Sequence, residues 1–412
     1  MNRLITISIF FIHYFLLEWY GYQSIKTVFK TSKYKEIATY VYFGITIFFL
    51  FLIIFSIYSR INNVTIPFQN YLSAILLGIL IGKLLLCIFL GIEDLARVMR
   101  YGFSKYSYSR TSPIQNIDRS QFLNSLFLIF TSLPLAAFCY GVFKTAYDYK
   151  IHRKKIFFDK LPKAFDGLRI VQISDVHAGS LNDYKALKSA VEKINELEAD
   201  LFFFTGDLVN NIASEFTEKI EIFKNIKAKI GKFSILGNHD YGDYYMWNSS
   251  DEKVANLDLL KSYHKQVDWK LLLNEHVSIT KNESKIEIIG VENWSGKLRF
   301  KQYGDLKIAY EGLEKEAFKI LLSHDPSHWD IEVAEMYNDI DLTLSGHTHG
   351  MQFGVETKWF RFSPVQFVYK HWAGLYQKGK QYLYVNRGFG FIGYQGRVGI
   401  RPEITLIELY SK

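Results

Sequence analysis

Eight side chains of the kinds that bind divalent cations stand in short polar clusters, and each cluster follows a short apolar run. Asp175 and His177 follow residues 168–173, Asp207 follows 201–204, Asn238 and His239 follow 233–236, His324 follows 320–322, and His347 and His349 follow 342–344. Imidazole suits zinc, iron and manganese, and carboxylate suits manganese and magnesium. A mixed nitrogen and oxygen set without thiolate therefore points to Mn, Fe or Zn. The two cysteines, Cys87 and Cys139, lie in apolar runs elsewhere. Seven candidate ligands exceed one tetrahedral site and fit two cations sharing a carboxylate, with positions left open for a bridging water and for substrate oxygens. Singly, each histidine after a strand reads better as a hydrogen-bonded structural residue. Five clusters in order make that explanation need five coincidences.

The elements that must position these residues are legible in rhythm. After Leu161 and Pro162 the chain alternates short apolar runs, polar clusters and helical stretches such as residues 184–198, the pattern of layered α/β. In open α/β sheets ligands bind beyond the carboxyl ends of strands, so five segments would deliver their polar side chains to one rim.

In this order the blocks Asp-x-His, Gly-Asp, Gly-Asn-His-Asp, His and Gly-His-x-His resemble the calcineurin-like metallophosphoesterases over about residues 161–409. The likeness is greatest to the bacterial branch in which a membrane segment or export signal precedes the domain. Phe165-Asp166-Gly167-Leu168-Arg169-Ile170 and Arg401-Pro402-Glu403-Ile404 are similar to that branch's flanking segments. The resemblance implies a two-sheet α/β sandwich with helices on both outer faces. It implies that Asp175, His177 and His349 hold one metal, that Asn238, His324 and His347 hold the other, and that Asp207 bridges them. His239 would be no ligand but the catalytic residue, a general acid for the leaving oxygen or a stabiliser of developing charge. The implied reaction is phosphomono- or phosphodiester hydrolysis by a metal-bridging hydroxide. Two nearby cations lower the pKa of that water, neutralise phosphoryl oxygens and clamp an in-line displacement. Asp325 and Thr348 are candidates to hold the ligating imidazoles from behind, and Ser174 and Ser323 read as loop-orienting residues. Two positions depart from the pattern. Asn210 stands where many members have an Asp that pairs with the catalytic His, and Met351 intervenes before Gln352.

The first 145 positions are a different polymer. Uncharged residues 37–58 meet the roughly 20-residue requirement for a spanning helix, and 72–92, interrupted by Lys83, and 122–143, with Pro134, come close. Residues 5–20 contain His13 and Glu18 and lack a signal-peptide cleavage site, so they count as a first span. The expectation is a four-helix transmembrane domain over residues 1–150 and a catalytic domain over 152–412. Lys83 and Glu18 lie near enough to helix ends to snorkel, which outweighs a pair inside the bundle. Lys26, Lys30, Lys33 and Lys35 after span one, and Arg97, Arg100, Lys105, Arg110 and Arg119 after span three, against Arg60 alone after span two, place the odd loops in the cytoplasm. The protein is then integral to the plasma (inner) membrane with its catalytic domain outside. Lys144, Lys150, Arg153, Lys154 and Lys155 pull the other way.

The formal charge of +8 gathers largely on these short loops, so no nucleic-acid partner is expected. A phospholipid or nucleotide-linked lipid suits a tethered hydrolase, and the bilayer itself is a partner. Lys358-Trp359-Phe360-Arg361-Phe362, with Phe367, Tyr369, Lys370, His371 and Trp372, reads equally as a headgroup-facing surface or as buried packing. The glycine-rich stretch from Arg387 to Gly399 reads as a loop shaped for turns. The rival reading, a membrane sensor or transport component with a metal-binding regulatory domain, is disfavoured by the complete ligand set.

Overall fold

The computed structural model describes residues 3–61, 69–107 and 119–412, which leaves Arg110 outside the described residues. The chain divides into two compact units, Met1–Tyr140 and Gly141–Lys412.

The first unit contains α1 (Arg3–Val28), α2 (Lys35–Ile61), α3 (Gln69–Ser107) and α4 (Gln121–Tyr140). Among the described residues three stretches are long and apolar enough to cross a membrane: Lys35–Ser59, Tyr71–Phe103 and Gln121–Thr145. The expected fourth span over residues 5–20 lies within the helix α1 and is not among these three. The chain is a membrane protein. The snorkelling expectation for Glu18 and Lys83 does not hold, since the two form an ion pair between α1 and α3 and Glu18 is buried. Tyr42 and Thr46 of α2 donate to its other carboxylate oxygen at 3.0 and 2.8 Å. Charge in hydrocarbon is tolerated when paired and hydrogen-bonded in this way. The helix α3 runs on past residue 92 because its polar continuation is satisfied. Asp94 pairs with Arg97 and Arg119, and Glu93 accepts from Ser120 N (2.7 Å) and Asn124 Nδ2 (2.8 Å).

The second unit carries fourteen strands: β1 (Lys150–Phe158), β2 (Leu168–Ile173), β3 (Leu201–Thr205), β4 (Gly231–Ile235), β5 (Lys270–Leu271), β6 (Glu275–Lys281), β7 (Ser284–Gly290), β8 (Phe318–Leu322), β9 (Leu342–Ser345), β10 (Val355–Glu356), β11 (Arg361–Phe362), β12 (Gly374–Lys378), β13 (Gln381–Val385) and β14 (Glu403–Ser411). One six-stranded sheet has the order β1-β14-β2-β3-β4-β5, a second has β12-β13-β9-β8-β7-β6, and β10 and β11 form a separate ribbon. Strands β2, β3 and β4 are mutually parallel, as are β7, β8, β9 and β13. Parallel strands buried on both faces read as continuous apolar runs, and Leu-Phe-Phe-Phe-Thr of β3 is one. Alternation sorts its residues: Leu201 and Phe203 point into the layer between the sheets, and Phe202 and Phe204 point outward. The outward layer is covered by α5 (Tyr184–Asn195), α6 (Ile220–Phe223) and α7 (Ser250–Gln266), and the outer face of the second sheet by α8 (Leu306–Tyr310) and α9 (Ala334–Met336). This is the helix-flanked two-sheet sandwich expected above. The basic run at Lys150–Lys155 is accounted for locally, since it forms edge strand β1, where charge discourages further strand addition.

Candidate metal centre

Each candidate residue sits just past the carboxyl end of a strand: Asp175 and His177 after β2, Asp207 after β3, Asn238 and His239 after β4, His324 after β8, and His347 and His349 after β9. The strands come from both sheets, so the rims must be stitched together. Asp175 N donates to Gly206 O (2.8 Å), His177 N to Asp207 O (3.1 Å) and Gly346 N to His324 O (2.9 Å). His347 N donates to the Asp175 carboxylate at 3.0 Å. Close approach demands glycine at 346, where a Cβ would lie 1.9 Å from Ser174 Oγ and 2.3 Å from Asp175 Oδ2. Asp175, His177, Asp207, His347 and His349 all hold left-handed φ values, between 47° and 70°. Asp and His tolerate that region better than most residues, yet five together mark a backbone held by its surroundings.

Two groups of side chains face one another closely enough to hold an ion: Asp175, His177 and His349, and Asp207, His324 and His347. His177 Nε2 lies 3.0 Å from His349 Nε2, which lies 3.2 Å from Asp175 Oδ1. Asp207 Oδ2 lies 3.2 Å from His324 Nε2 and 3.6 Å from His177 Nε2, so this carboxylate touches both groups. His347 Nδ1 lies 3.2 Å from His324 Nε2. Ligands about 2.0–2.1 Å from a tetrahedral ion are about 3.4 Å apart, so these edges fit a metal polyhedron. Asn238 donates Nδ2 to Tyr244 Oη (3.0 Å), leaving its Oδ1 buried and without a hydrogen-bond partner. Such an orphaned acceptor in a cleft shared with Asp207 and His347 suits a cation.

Tautomers are set from behind. His324 Nδ1 meets Thr205 O at 2.7 Å, so its Nε2 faces the centre. His347 Nε2 meets Tyr369 Oη at 2.8 Å and lies 3.5 Å from Asp325 Oδ2, which frees Nδ1. Asp325 thus stands where expected, while Thr348 does not, since its hydroxyl donates to Trp372 O at 2.6 Å. Burial pushes His177 well below the usual imidazole range and lowers His347, favouring the neutral, ligating form. His324 is the exception. Burial opposes its charge, but the Asp207 carboxylate outweighs burial and raises its pKa to about 10.

His239 Nδ1 meets the backbone oxygen of Asn210 at 2.7 Å, and its ring lies 4.6 Å from that of Tyr244. The Asn210 side chain is turned away and donates to Ser180 Oγ (3.0 Å). Ser174 Oγ bonds Thr205 O (3.3 Å) and Ser323 Oγ bonds His328 Nδ1 (2.8 Å), both orienting loops. Arg387 is buried in ion pairs with Glu403 and Glu356, and Arg397 is buried against main-chain oxygens of the glycine-rich stretch. Sequence reasoning passed over Asp240, whose carboxylate accepts from Asp207 N (2.9 Å), Leu208 N (2.8 Å), Val209 N (3.3 Å) and Gly237 N (2.8 Å), tying two rim loops together. Burial, with Asp207 nearby, raises it to about 7. Tyr244, Arg299 and Phe300 were also passed over, and Tyr369, read above as surface or packing, meets His347 instead. Arg299 and Phe300 wall the cleft, with the Phe300 ring 4.8 Å from that of His347.

Residues 168–351 match the model described as calcineurin-like phosphoesterase, and residues 2–146 match the one described as probable calcineurin-like phosphoesterase, transmembrane domain. The chain is 31% identical over 279 residues to a zebrafish (Danio rerio) transmembrane protein with metallophosphoesterase domain, covering 66% of this chain and 59% of that protein. It is 29% identical to the metallophosphoesterase YkuE of Bacillus subtilis, covering 72% of this chain and 99% of that protein. It is also 29% identical to the UDP-2,3-diacylglucosamine pyrophosphatase LpxG of Chlamydia muridarum, covering 56% and 81% respectively. Motif order, a two-sheet sandwich with its polar rim, and both halves of the match converge, and the chain belongs to the calcineurin-like metallophosphoesterases, as an enzyme with an N-terminal transmembrane domain.

Proposed function

We propose that the second unit, from about residue 152, binds two divalent cations (Mn, Fe or Zn) and hydrolyses a phosphoester on a membrane-associated or lipid-linked substrate. The observation that carries this reading is Asp207 Oδ2, within 3.2 Å of His324 Nε2 and 3.6 Å of His177 Nε2, at the seam of the two ligand groups. Asp175, His177 and His349 would hold one cation and Asn238, His324 and His347 the other, with Asp207 shared. Bound there, the cations would supply Lewis acidity, an activated water and neutralisation of phosphoryl charge. The chain supplies the rest. With Nδ1–H donated to Asn210 O, His239 keeps Nε2 for the leaving oxygen; as the imidazolium, with both nitrogens protonated, it gives the Nε2 proton to that oxygen and is left as the neutral Nδ1–H ring. Tyr369 and Asp325 fix His347, and Asp240 holds the loop bearing Asp207.

A lipid-linked substrate is supported by the transmembrane domain in the same chain and by a relative named for a nucleotide-linked diacyl sugar. Arg97, Arg100 and Lys105 at the polar end of α3, with Arg110 and Arg119 after it, argue for a cytoplasmic position of that stretch and a catalytic unit on the outer side. The test is made on the full chain in detergent, stripped of metal and reloaded with Mn, Zn or Fe. Metal content is measured together with hydrolysis of chromogenic phosphomono- and phosphodiesters, with Asp207→Asn as control. Two ions per chain and turnover lost in the control are expected. Absence of bound metal refutes the reading, and two bound ions with no turnover on these or on lipid-linked esters leaves a binding domain.

A further inference from the structure

The metal cleft opens between two segments with an unusual surface. One is residues 296–302, where Leu298 is fully exposed at 106%. The other is the β10–β11 ribbon with the turn after it, where Trp359 is 87% and Phe367 79% exposed and Phe360 is also out. Arg299 and Phe300 of the first segment, and Val365, Val368 and Tyr369 of the second, wall the cleft itself. The exposed apolar groups are therefore the outer lip of the same walls. A soluble domain rarely leaves such a set uncovered without a partner.

Composition names the partner. Residues 296–302 hold Lys297, Arg299 and Lys301, with Lys301 paired to Asp243, and residues 355–370 hold Lys358, Arg361 and Lys370, with Arg361 donating to Tyr376; the one carboxylate of the two segments, Glu356, is held by the buried Arg387. Aromatic side chains interleaved with Lys and Arg match the headgroup layer of an anionic bilayer, where Trp is favoured and nearby cations are attracted. The size of the cleft agrees. At about 280 Å³ it accepts a phosphate-bearing head and no diacyl body, which must stay outside while the ester is inside. Buried Tyr369 and Trp372 are the packing half of this sequence, and Trp359, Phe360 and Phe367 are the half without packing.

We infer that this lip is a bilayer-contacting surface that seats the cleft mouth on anionic lipid, so that the head of a membrane-resident phosphoester enters while its chains stay in the membrane. The inference rests on the lipid-linked reading above. It is tested on the full chain in nanodiscs of phosphatidylcholine and phosphatidylglycerol, with Cys87 and Cys139 replaced by Ala. Single cysteines at Leu298, Phe367 or, as control, Val254 on the exposed face of α7 carry an environment-sensitive dye, and the lipid carries a spin label just below the headgroup. Quenching at the two lip positions at least about twofold above that at Val254 is expected for interfacial residues. Quenching equal to the control overturns the inference, and so does dye burial that grows with protein density without lipid quenching, which would make the lip a contact between copies. The quenching is read without turnover, so a lipid-contacting lip on an inactive chain would count against the hydrolase alone, and an active chain with an unquenched lip would count against the surface alone.

Discussion

The general acid assignment turns on which atom of residue 210 meets His239. The contact is the main-chain oxygen, and the Asn210 amide points to Ser180. Sequence comparison made Asn210 look like a weakened partner of the catalytic imidazole, yet a main-chain oxygen is present whatever the side chain. Asn210→Ala is expected to leave kcat within a factor of about three, whereas His239→Ala lowers it by about 10²–10⁴ with metal content unchanged. Steady-state kinetics with metal analysis decides, and a large loss in Asn210→Ala would return the role to the side chain. At this scale the candidate ligands could be picked out in the sequence because each occupies a fixed slot in a strand-end cluster. Asp240, Tyr369 and Tyr244 were not, for different reasons. Asp240 looked like one more acidic residue of a motif, while Tyr369 reaches His347 across twenty-two positions of chain, a distance only folding closes.

Strand ends position the centre, so the element scale is where backbone fit should fail first. A methyl at Gly346 meets Ser174 and Asp175 side chains that have no room to yield. Gly346→Ala is expected to lower kcat/KM by at least about 100-fold through displacement of Asp175, with circular dichroism unchanged. Helix α7 carries a separate liability. His264 is fully buried, its Nδ1 2.9 Å from Ser234 Oγ on β4, and burial lowers its pKa to about 3. An unfolded histidine titrates near 6.5, so the folded state binds fewer protons between these values. Its contribution is complete above pH 6.5 and is lost as pH falls toward 3, amounting to about 2 kcal/mol at pH 5. Unfolding of the full chain in detergent, followed by tryptophan emission at pH 7 and pH 5, should therefore show a shallower pH dependence in His264→Gln. An identical dependence would mean that the ring is not desolvated. The layered fold was legible from the apolar runs, because strands buried on both faces leave no polar alternation to misread. The two-residue strands β5, β10 and β11 were not, since nothing so short carries a period.

Over the whole molecule, a membrane unit and a metal-binding unit meet in sequence between Tyr140 and Gly141. Hydropathy made three spans plain, and it misjudged the charges of the bundle. A window average cannot tell whether Lys83 and Glu18 point at water or at each other, because that depends on how α1 and α3 turn their faces. Removing one partner should loosen the bundle by about 3–5 kcal/mol, and Glu18→Gln with Lys83→Met together should recover much of it. Resistance of the full chain to detergent-induced unfolding measures this, and additive losses would exclude the pair. The same ion pair bears on biogenesis. Glu18 leaves the ribosome 65 residues before Lys83, so α1 reaches the membrane carrying a carboxylate with no counter-charge. Its insertion is then a deferred event, completed when α3 arrives. In a chain ending before residue 69, which α2 alone would anchor, a cysteine at Leu16 of α1 should react with a membrane-impermeant maleimide, and in one ending after α3, with Cys87 replaced by Ala, it should be protected, which makes the first helix a latecomer to the bilayer although it is the first to be made.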